Sequence, residues 1–384
     1  MKKTRRRYEI RKPELDAQLE ALLLRTAEEL GEPSDFELAR EILVSAIKMA
    51  GEGTGRGELK LVNRALKELR HAFRVFQPYA QIRKVALFGS ARTAETHPAW
   101  KQAYDFAESI CKHGWMVITG AGDGIMGAAQ GGAGRERSFG VNIRLPFEQL
   151  ANETIRGDTK LIKFRYFFTR KLMFVKEAHA VVLFPGGFGT HDEGFEALTL
   201  IQTGKSEILP VVFIDQPGGS YWRDWLEYVR SHLADQHYID PDDLNLLKVT
   251  DDVDEAAAEV LRFYSNYHSS RYVRDKLVLR VQRPPEPELM QRLNDEFASI
   301  VESGTIEAGG PLEEEGGDAP GLARIMLRFN RRDNGKLRRM IDVINEAKAD
   351  EEAPASPHEI VEEELEEDEP YDWEDRIGDE PSSR

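Results

Sequence analysis

The chain has 384 residues, one cysteine and a formal net charge of −16, long enough for one large or two modest domains with a real core. A lone Cys111 excludes an internal disulfide and fits a reducing cytosol, and no stretch approaches the ~20 apolar residues of a membrane span. The acidity is local: residues 350–384 hold 16 Asp and Glu against 2 Arg, net −14, which leaves about −2 for the rest.

The start, "MKKTRRRYEIRKPELD", is basic without an apolar run behind it, so a secretory signal is not expected and the cytoplasm is. Its basic residues read as a solvated, frayed terminus; neither nucleic acid nor membrane is an expected partner. Residues 1–80 read as a helical extension. In "PELDAQLEALLLRTAEEL", Leu15, Leu19, Leu22 and Leu30 fall near one face, and Pro13 suits a first turn. Ser34 and Glu37 have capping-box spacing before Ile42, Leu43, Ala46 and Met49. After a glycine-rich break at 51–57, Val62, Leu66, Leu69, Phe73 and Phe76 step by three and four, which predicts a third helix packed on a main domain.

From about residue 82 the pattern changes to short apolar runs: "RKVALF", "WMVIT", "FGVNIRL", "AVVLF", "LPVVFI" and a weaker "LLKV". Helical stretches of crossover length, such as Ala99–Lys112 and Thr190–Gln202, separate them. Such alternation predicts an α/β domain over 81–267, a Rossmann-like doubly wound parallel sheet covered on both faces. A small α+β appendage follows at 268–348, with strands "KLVLRVQ" and "ARIMLRF", helices near 286–301 and 335–347, and a loop "EAGGPLEEEGGDAPG". Residues 349–384 read as an acidic disordered tail.

Three strand ends carry glycine: "LFGSART", "ITGAGDGIMGAAQGGAG" and "VVLFPGGFGTHDEGFEALTLIQTG". In a parallel sheet all three lie on one edge, the edge where ligands bind. Backbone amides at such bends and the positive ends of the following helices suit an anion, most often a phosphate. Gly122 to Gly127 also spells G-x-G-x-x-G, but after the second strand rather than the first, and Arg144 stands where a dinucleotide site wants an acid. No G-K-[ST] follows the glycines, against a P-loop. Asp192, Glu193 and Glu196 open a helix, where the dipole alone favours acids; Glu193 and Glu196 share a face and could equally aim at a ligand. The helix before, "FRYFFTRKLMFVKEAHA", is either a buried helix with snorkelling bases or the source of an Arg that grips phosphate or carboxylate bidentately. His179 and His191 read as strand-edge and helix-surface residues.

"PGGFGTHDE" resembles the P-G-G-x-G-T-x-x-E motif of the LOG family, nucleotide phosphoribohydrolases long labelled lysine decarboxylases. "TRKLM" resembles the family's R-K-x-x-M segment with one residue fewer before the Met, "GAGDGIMG" its glycine loop, and "FGSAR" its first-strand loop. The resemblance runs over about 82–265 and leaves the flanking segments uncovered; "VNIRLPFEQ" and "FEALTLIQTGK" are closer to its bacterial branch. It implies hydrolysis of a nucleoside 5'-monophosphate, of AMP or N6-substituted adenine type, to free base and ribose 5-phosphate. It also implies a homodimer or higher homo-oligomer and no metal or other cofactor. Carried over, the catalytic residues are Arg170 and Glu193, and the phosphate-binding residues are Gly186, Gly187, Gly189, Thr190, Gly89 and Ser90. Gly122, Gly124, Met126, Lys171 and Glu196 are implied near the substrate. Ala121 and Asp123 depart from the family pattern. A pyridoxal decarboxylase would need a Schiff-base lysine; Lys171 is the one tempting residue, and its neighbours fit the nucleotide reading better. The rival from another class is a nucleotide- or cofactor-binding carrier on the same scaffold, which would not need the Arg170/Glu193 pair.

Overall fold

A computed structural model describes residues 7–31, 33–145 and 150–346. The first six residues, most of the acidic tail's run-in and the tail itself lie outside them, as do 146–149 of the "VNIRLPFEQ" stretch. The chain divides into two compact units, Met1–Arg70 and His71–Arg384.

The first unit is helical. Helix α1 (Pro13–Leu30) starts with Pro13 at its first position, and α2 spans Phe36–Gly51. Their shared core is Leu19, Leu23 and Val44, with Ile10 and Phe36 against it. Leu15, Leu22 and Leu30 are exposed, so the face predicted for α1 is turned: Leu19 and Leu23, four apart, point inward. The α2 cap is also one residue later than predicted. Asp35, not Ser34, accepts from the Leu38 amide, and Glu37 pairs instead with Arg7 at 2.9 Å and Arg40 at 3.2 Å. Helix α3 (Arg56–Phe76) forms as its spacing predicts, yet Val62, Leu66 and Phe73 stay half-exposed; only its C-terminal end, at Ala72, Val75 and Phe76, is buried.

The second unit opens with β1 (Lys84–Phe88), α4 (Pro98–Lys112), β2 (Met116–Thr119), α5 (Ile125–Ala133), β3 (Ser138–Ile143) and β4 (Leu161–Phe164). It continues with α6 (Phe167–Glu177), β5 (Ala180–Leu183), α7 (Phe188–Gln202), β6 (Val211–Ile214), α8 (Tyr221–Val229), β7 (Leu247–Thr250) and α9 (Val253–Phe263). The seven strands pair in parallel in the order β4-β3-β2-β1-β5-β6-β7, the doubly wound α/β architecture the sequence predicts. Strands β1, β2, β5 and β6 are buried at every position, which is why they read as unbroken apolar runs. Alternate residues feed the two layers: Val85, Leu87, Val117, Val182 and Val212 pack with α4, α5 and α9 in one core, while Phe88 meets Phe174 of α6, ring centroids 4.7 Å apart. Strand β4 escaped the sequence reading because it is short, at the sheet edge, and exposes Lys163.

Chain order reverses at β1: the path runs outward through β2, β3 and β4, then returns to β5 on the other side of β1. The crevice between the C-terminal ends of β1 and β5 is thus the switch point at which open α/β sheets bind ligands.

The appendage is an antiparallel sheet ordered β10-β11-β9-β8, from β8 (Tyr267–Val273), β9 (Lys276–Val281), β10 (Val301–Gly309) and β11 (Ala323–Phe329), with helices α10 (Pro287–Phe297) and α11 (Asn334–Glu346). Strands β8 and β10 were missed: "YHSSRYV" is mostly polar, and "VESGTIEAG" carries two glycines and overlaps the predicted loop. Helix α11 is tied at its start and middle to the α/β domain and at its end to β8. Asn334 Nδ2 donates to Gln202 O at the end of α7 at 2.9 Å, Arg338 Nη2 to Glu259 of α9 at 2.6 Å, and Asn345 Oδ1 accepts from the Tyr267 amide at 2.8 Å. No helix among the described residues is long and apolar enough to cross a membrane.

Candidate active site

Three loops meet at the switch point, and Ser90 is their node. Its amide donates to Pro185 O at 3.2 Å, and its carbonyl accepts from the Ile125 amide at 3.1 Å. Glycine is required where they touch. A Cβ on Gly186 would lie 2.1 Å from Thr190 Oγ1 and 3.0 Å from Ser90 N. One on Gly124, which also has φ +62°, would lie 2.4 Å from Ser90 O, and one on Gly89 2.6 Å from the Ile125 side chain. The glycine-rich edge, expected to cradle a phosphate, is a packing device that draws three strand ends together.

Not all of these glycines are spacers. At Gly187 and Gly189 a Cβ would meet nothing within 4 Å. Gly187 is the N-cap of α7, with no side-chain cap, and its carbonyl takes the Thr190 and His191 amides. The earliest amides of α7 have no intrahelical acceptor and carry the positive end of the helix dipole, so this open face is suited to an anion. The middle loop is more closed. Met126 lies over Gly120 and Gly122, Gly122 O accepts from Asn152 Nδ2 at 2.9 Å, and Asp123 is exposed. Gly124 thus serves as the contact with Ser90, and Met126 as the cover of the loop.

The charged residues stand beside this cradle because α6 and α7 both begin at the same sheet edge. Arg170, in the first turn of α6, donates from Nη2 to Glu193 Oε1 on α7 at 2.7 Å, and both side chains are largely buried. The guanidinium lies 4.9 Å from the Phe167 ring centroid and 5.7 Å from that of Phe174, and its Nε is buried with no hydrogen-bond partner. Lys171 Nζ reaches Glu196 at 2.6 Å, Asp192 at 2.9 Å and Glu193 Oε2 at 3.8 Å. Glu193 and Glu196, on one face as their spacing predicts, are joined through this lysine. They line one end of a shallow cleft that continues past Phe88, Phe174, Val181 and Leu209.

Burial pushes the Glu193 carboxyl above its ordinary range, against the pull of Arg170 and Lys171, and the charges of Glu196 and Asp192 push it further. Burial draws Lys171 down, but hydrogen bonds to Glu196 and Asp192 and the charge on Glu193 outweigh it and hold the ammonium above its usual value. A Schiff-base lysine must shed its proton easily, so Lys171 is set up for the opposite task.

One group of residues at the cradle went unread in the sequence. Tyr221 opens α8; its hydroxyl donates to Gly186 O at 2.6 Å and contacts His191 Nε2 at 2.7 Å. Asp215, at the end of β6 and buried, accepts from the Trp222 amide at 2.8 Å and so fixes the first turn of α8. The signal was present: "IDQPGGSYW" is a fourth glycine-bearing strand end on the same edge. His191, expected on the helix surface, is half-buried in this contact.

Residues 125–260 match the family model described as possible lysine decarboxylase. The match takes in Arg170, Glu193 and the β5 loop, and begins after the first-strand loop. A cytokinin riboside 5'-monophosphate phosphoribohydrolase of Mycobacterium tuberculosis is 29% identical over 160 residues, which cover 40% of this chain and 81% of that protein. The like-named protein of Mycobacterium marinum is 29% identical over 177 residues, 45% of this chain and 90% of its own. Among solved structures, the molybdenum cofactor carrier protein of Chlamydomonas reinhardtii is similar at 20% identity and TM-score 0.34, over 47% of this chain and 97% of that one. The molybdenum cofactor binding protein of Rippkaea orientalis matches at 21% identity and TM-score 0.32, over 46% and 91%.

Proposed function

We propose that the chain is a LOG-family protein through its α/β domain and that it hydrolyses the N-glycosidic bond of a nucleoside 5'-monophosphate. The substrate is of AMP or N6-substituted adenine type, and the products are free base and ribose 5-phosphate. The observation that carries this reading is the buried Arg170–Glu193 pair, 2.7 Å apart, beside an uncapped helix end whose first glycines face open space. Two relatives, 29% identical over less than half of this chain, are named cytokinin riboside 5'-monophosphate phosphoribohydrolases, which supports the reading.

The 5'-phosphate sits on the amides of the Gly186–Thr190 loop, with Gly89 and Ser90 closing the other side of the crevice. Binding energy from the phosphate, remote from the scissile bond, positions the sugar. As the C–N bond lengthens, positive charge builds on the ribose ring; the Glu193 carboxylate stabilises it and orients the attacking water. Arg170 occupies Oε1 and leaves Oε2 toward the sugar. Lys171 helps hold Glu193 ionised despite its burial. We place the protein in the cytoplasm, as a homodimer or larger homo-oligomer.

The test is chromatography of a nucleoside-monophosphate panel incubated with the purified protein, with the matching nucleosides and Glu193→Gln as controls. Base released from monophosphates alone, and reduced about 10²–10⁴-fold in the variant, supports the reading. Tight nucleotide binding with no base released from any of them would overturn it in favour of a carrier.

A further inference from the structure

The contact between Tyr221 and the β5 loop bears on how the cradle holds its anion. The Gly186 carbonyl and the Gly187 amide belong to one planar trans peptide, so they point in opposite directions. Tyr221 Oη donates to that carbonyl at 2.6 Å. The Gly187 N–H is thereby turned away from α8, at a residue around which a Cβ would find open space.

A phenol has one proton. With it committed to Gly186 O, the 2.7 Å contact with His191 Nε2 requires the imidazole to be the donor. His191 itself lies on α7, one residue after Thr190, so the relay ties the loop, the first turns of α7 and the start of α8 together. Asp215 holds the α8 end of the relay through the Trp222 amide. Burial raises the Tyr221 phenol and lowers His191 from their ordinary values, which keeps the hydroxyl protonated and the ring neutral near pH 7.

We propose that Tyr221, oriented by His191, is a positioning residue for phosphate recognition: it fixes the Gly186–Gly187 peptide so that the Gly187 amide is presented to the anion. This rests on the phosphate-cradle reading above. The same peptide without the phenol is free to rotate, and its carbonyl can then face the anion and repel it.

The test is isothermal titration of the full-length protein and Tyr221→Phe with ribose 5-phosphate and, separately, with adenosine. Tyr221→Phe should bind ribose 5-phosphate about tenfold more weakly, the weight of one charge-assisted hydrogen bond, while its adenosine affinity is unchanged. Equal affinity of both proteins for ribose 5-phosphate overturns the role of Tyr221 and leaves the cradle standing. A parallel loss for adenosine also overturns it, because it shows general damage rather than a lost phosphate contact. If the unaltered protein fails to bind ribose 5-phosphate, the cradle reading falls and the inference with it. Should Tyr221→Phe melt early, His191→Phe, which removes only the donor to the phenol, carries the same comparison.

Discussion

Replacing Glu315 by Gln should loosen the loop that covers the small sheet, by an amount the geometry lets one work out. Glu315 is buried between two arginines: Arg280 donates from Nε and Nη2 to Oε1 at 2.9 and 2.8 Å, and Arg324 from Nε to Oε2 at 2.9 Å. The Leu312 amide adds a fourth bond at 3.0 Å. Burial alone would raise this carboxyl, but Arg324, the Leu312 amide and Arg280 together hold it at about 2, against an ordinary 4.5. At 1.36 kcal/mol per unit, that difference corresponds to about 3 kcal/mol. Because the folded value is depressed, the contribution is complete above pH 4.5 and is lost as pH falls toward 2. Glutamine keeps the shape and removes the charge, leaving the buried Arg324 guanidinium unneutralised and Arg280 with Asp318 alone, 2.9 Å away. Amide hydrogen exchange across residues 310–329, read by mass spectrometry at pH 7, should accelerate about a hundredfold in Glu315→Gln. The difference should shrink near pH 3. Exchange within threefold of the unaltered protein at pH 7, or a gap that persists undiminished at low pH, would show that the Glu315 charge does not hold this loop.

Two further outcomes follow from the site. Since burial raises Glu193 and Lys171 pulls it down, the acid limb of kcat/KM should lie above the ordinary carboxylate range. Lys171→Met should move it to still higher pH; a limb that stays put or moves down would show that Glu193 is not the titrating group. Gly186→Ala places a Cβ 2.1 Å from the hydroxyl of buried Thr190 and should cost about 1–3 kcal/mol, seen as an early melt. Gly187→Ala meets nothing within 4 Å and should cost no more than about 1 kcal/mol, the penalty of a poorer N-cap; equal melting of the two variants would contradict the packing account of Gly186.

Much of this protein is written in its local pattern. The inner strands announce themselves because a strand covered on both faces must be apolar at every position. The glycines at their ends mark the edge where the loops converge before any contact is known, and the spacing of Glu193 and Glu196 sets them on one face of α7 because a helix turns once in 3.6 residues. Where burial is one-sided or slight, the pattern fails. Strand β4 exposes Lys163, β8 is mostly polar, and α1 carries so many leucines that periodicity alone does not choose the face that Leu19 and Leu23 take.

Local sequence sets each residue's kind of surroundings: which runs are buried, where the chain bends, which acids share a helix face. Which of these meet is set by how the elements pack. Ser90 touches loops 34 and 96 positions away, at Gly124 and Gly186, because the chain doubles back across β1. Lys171 gathers three carboxylates because α6 and α7 start side by side at one edge, and Tyr221 reaches Gly186 across 35 residues because Asp215 anchors the start of α8. Periodicity records the environment along one element; the meeting of elements depends on strand order and packing, which no local pattern carries.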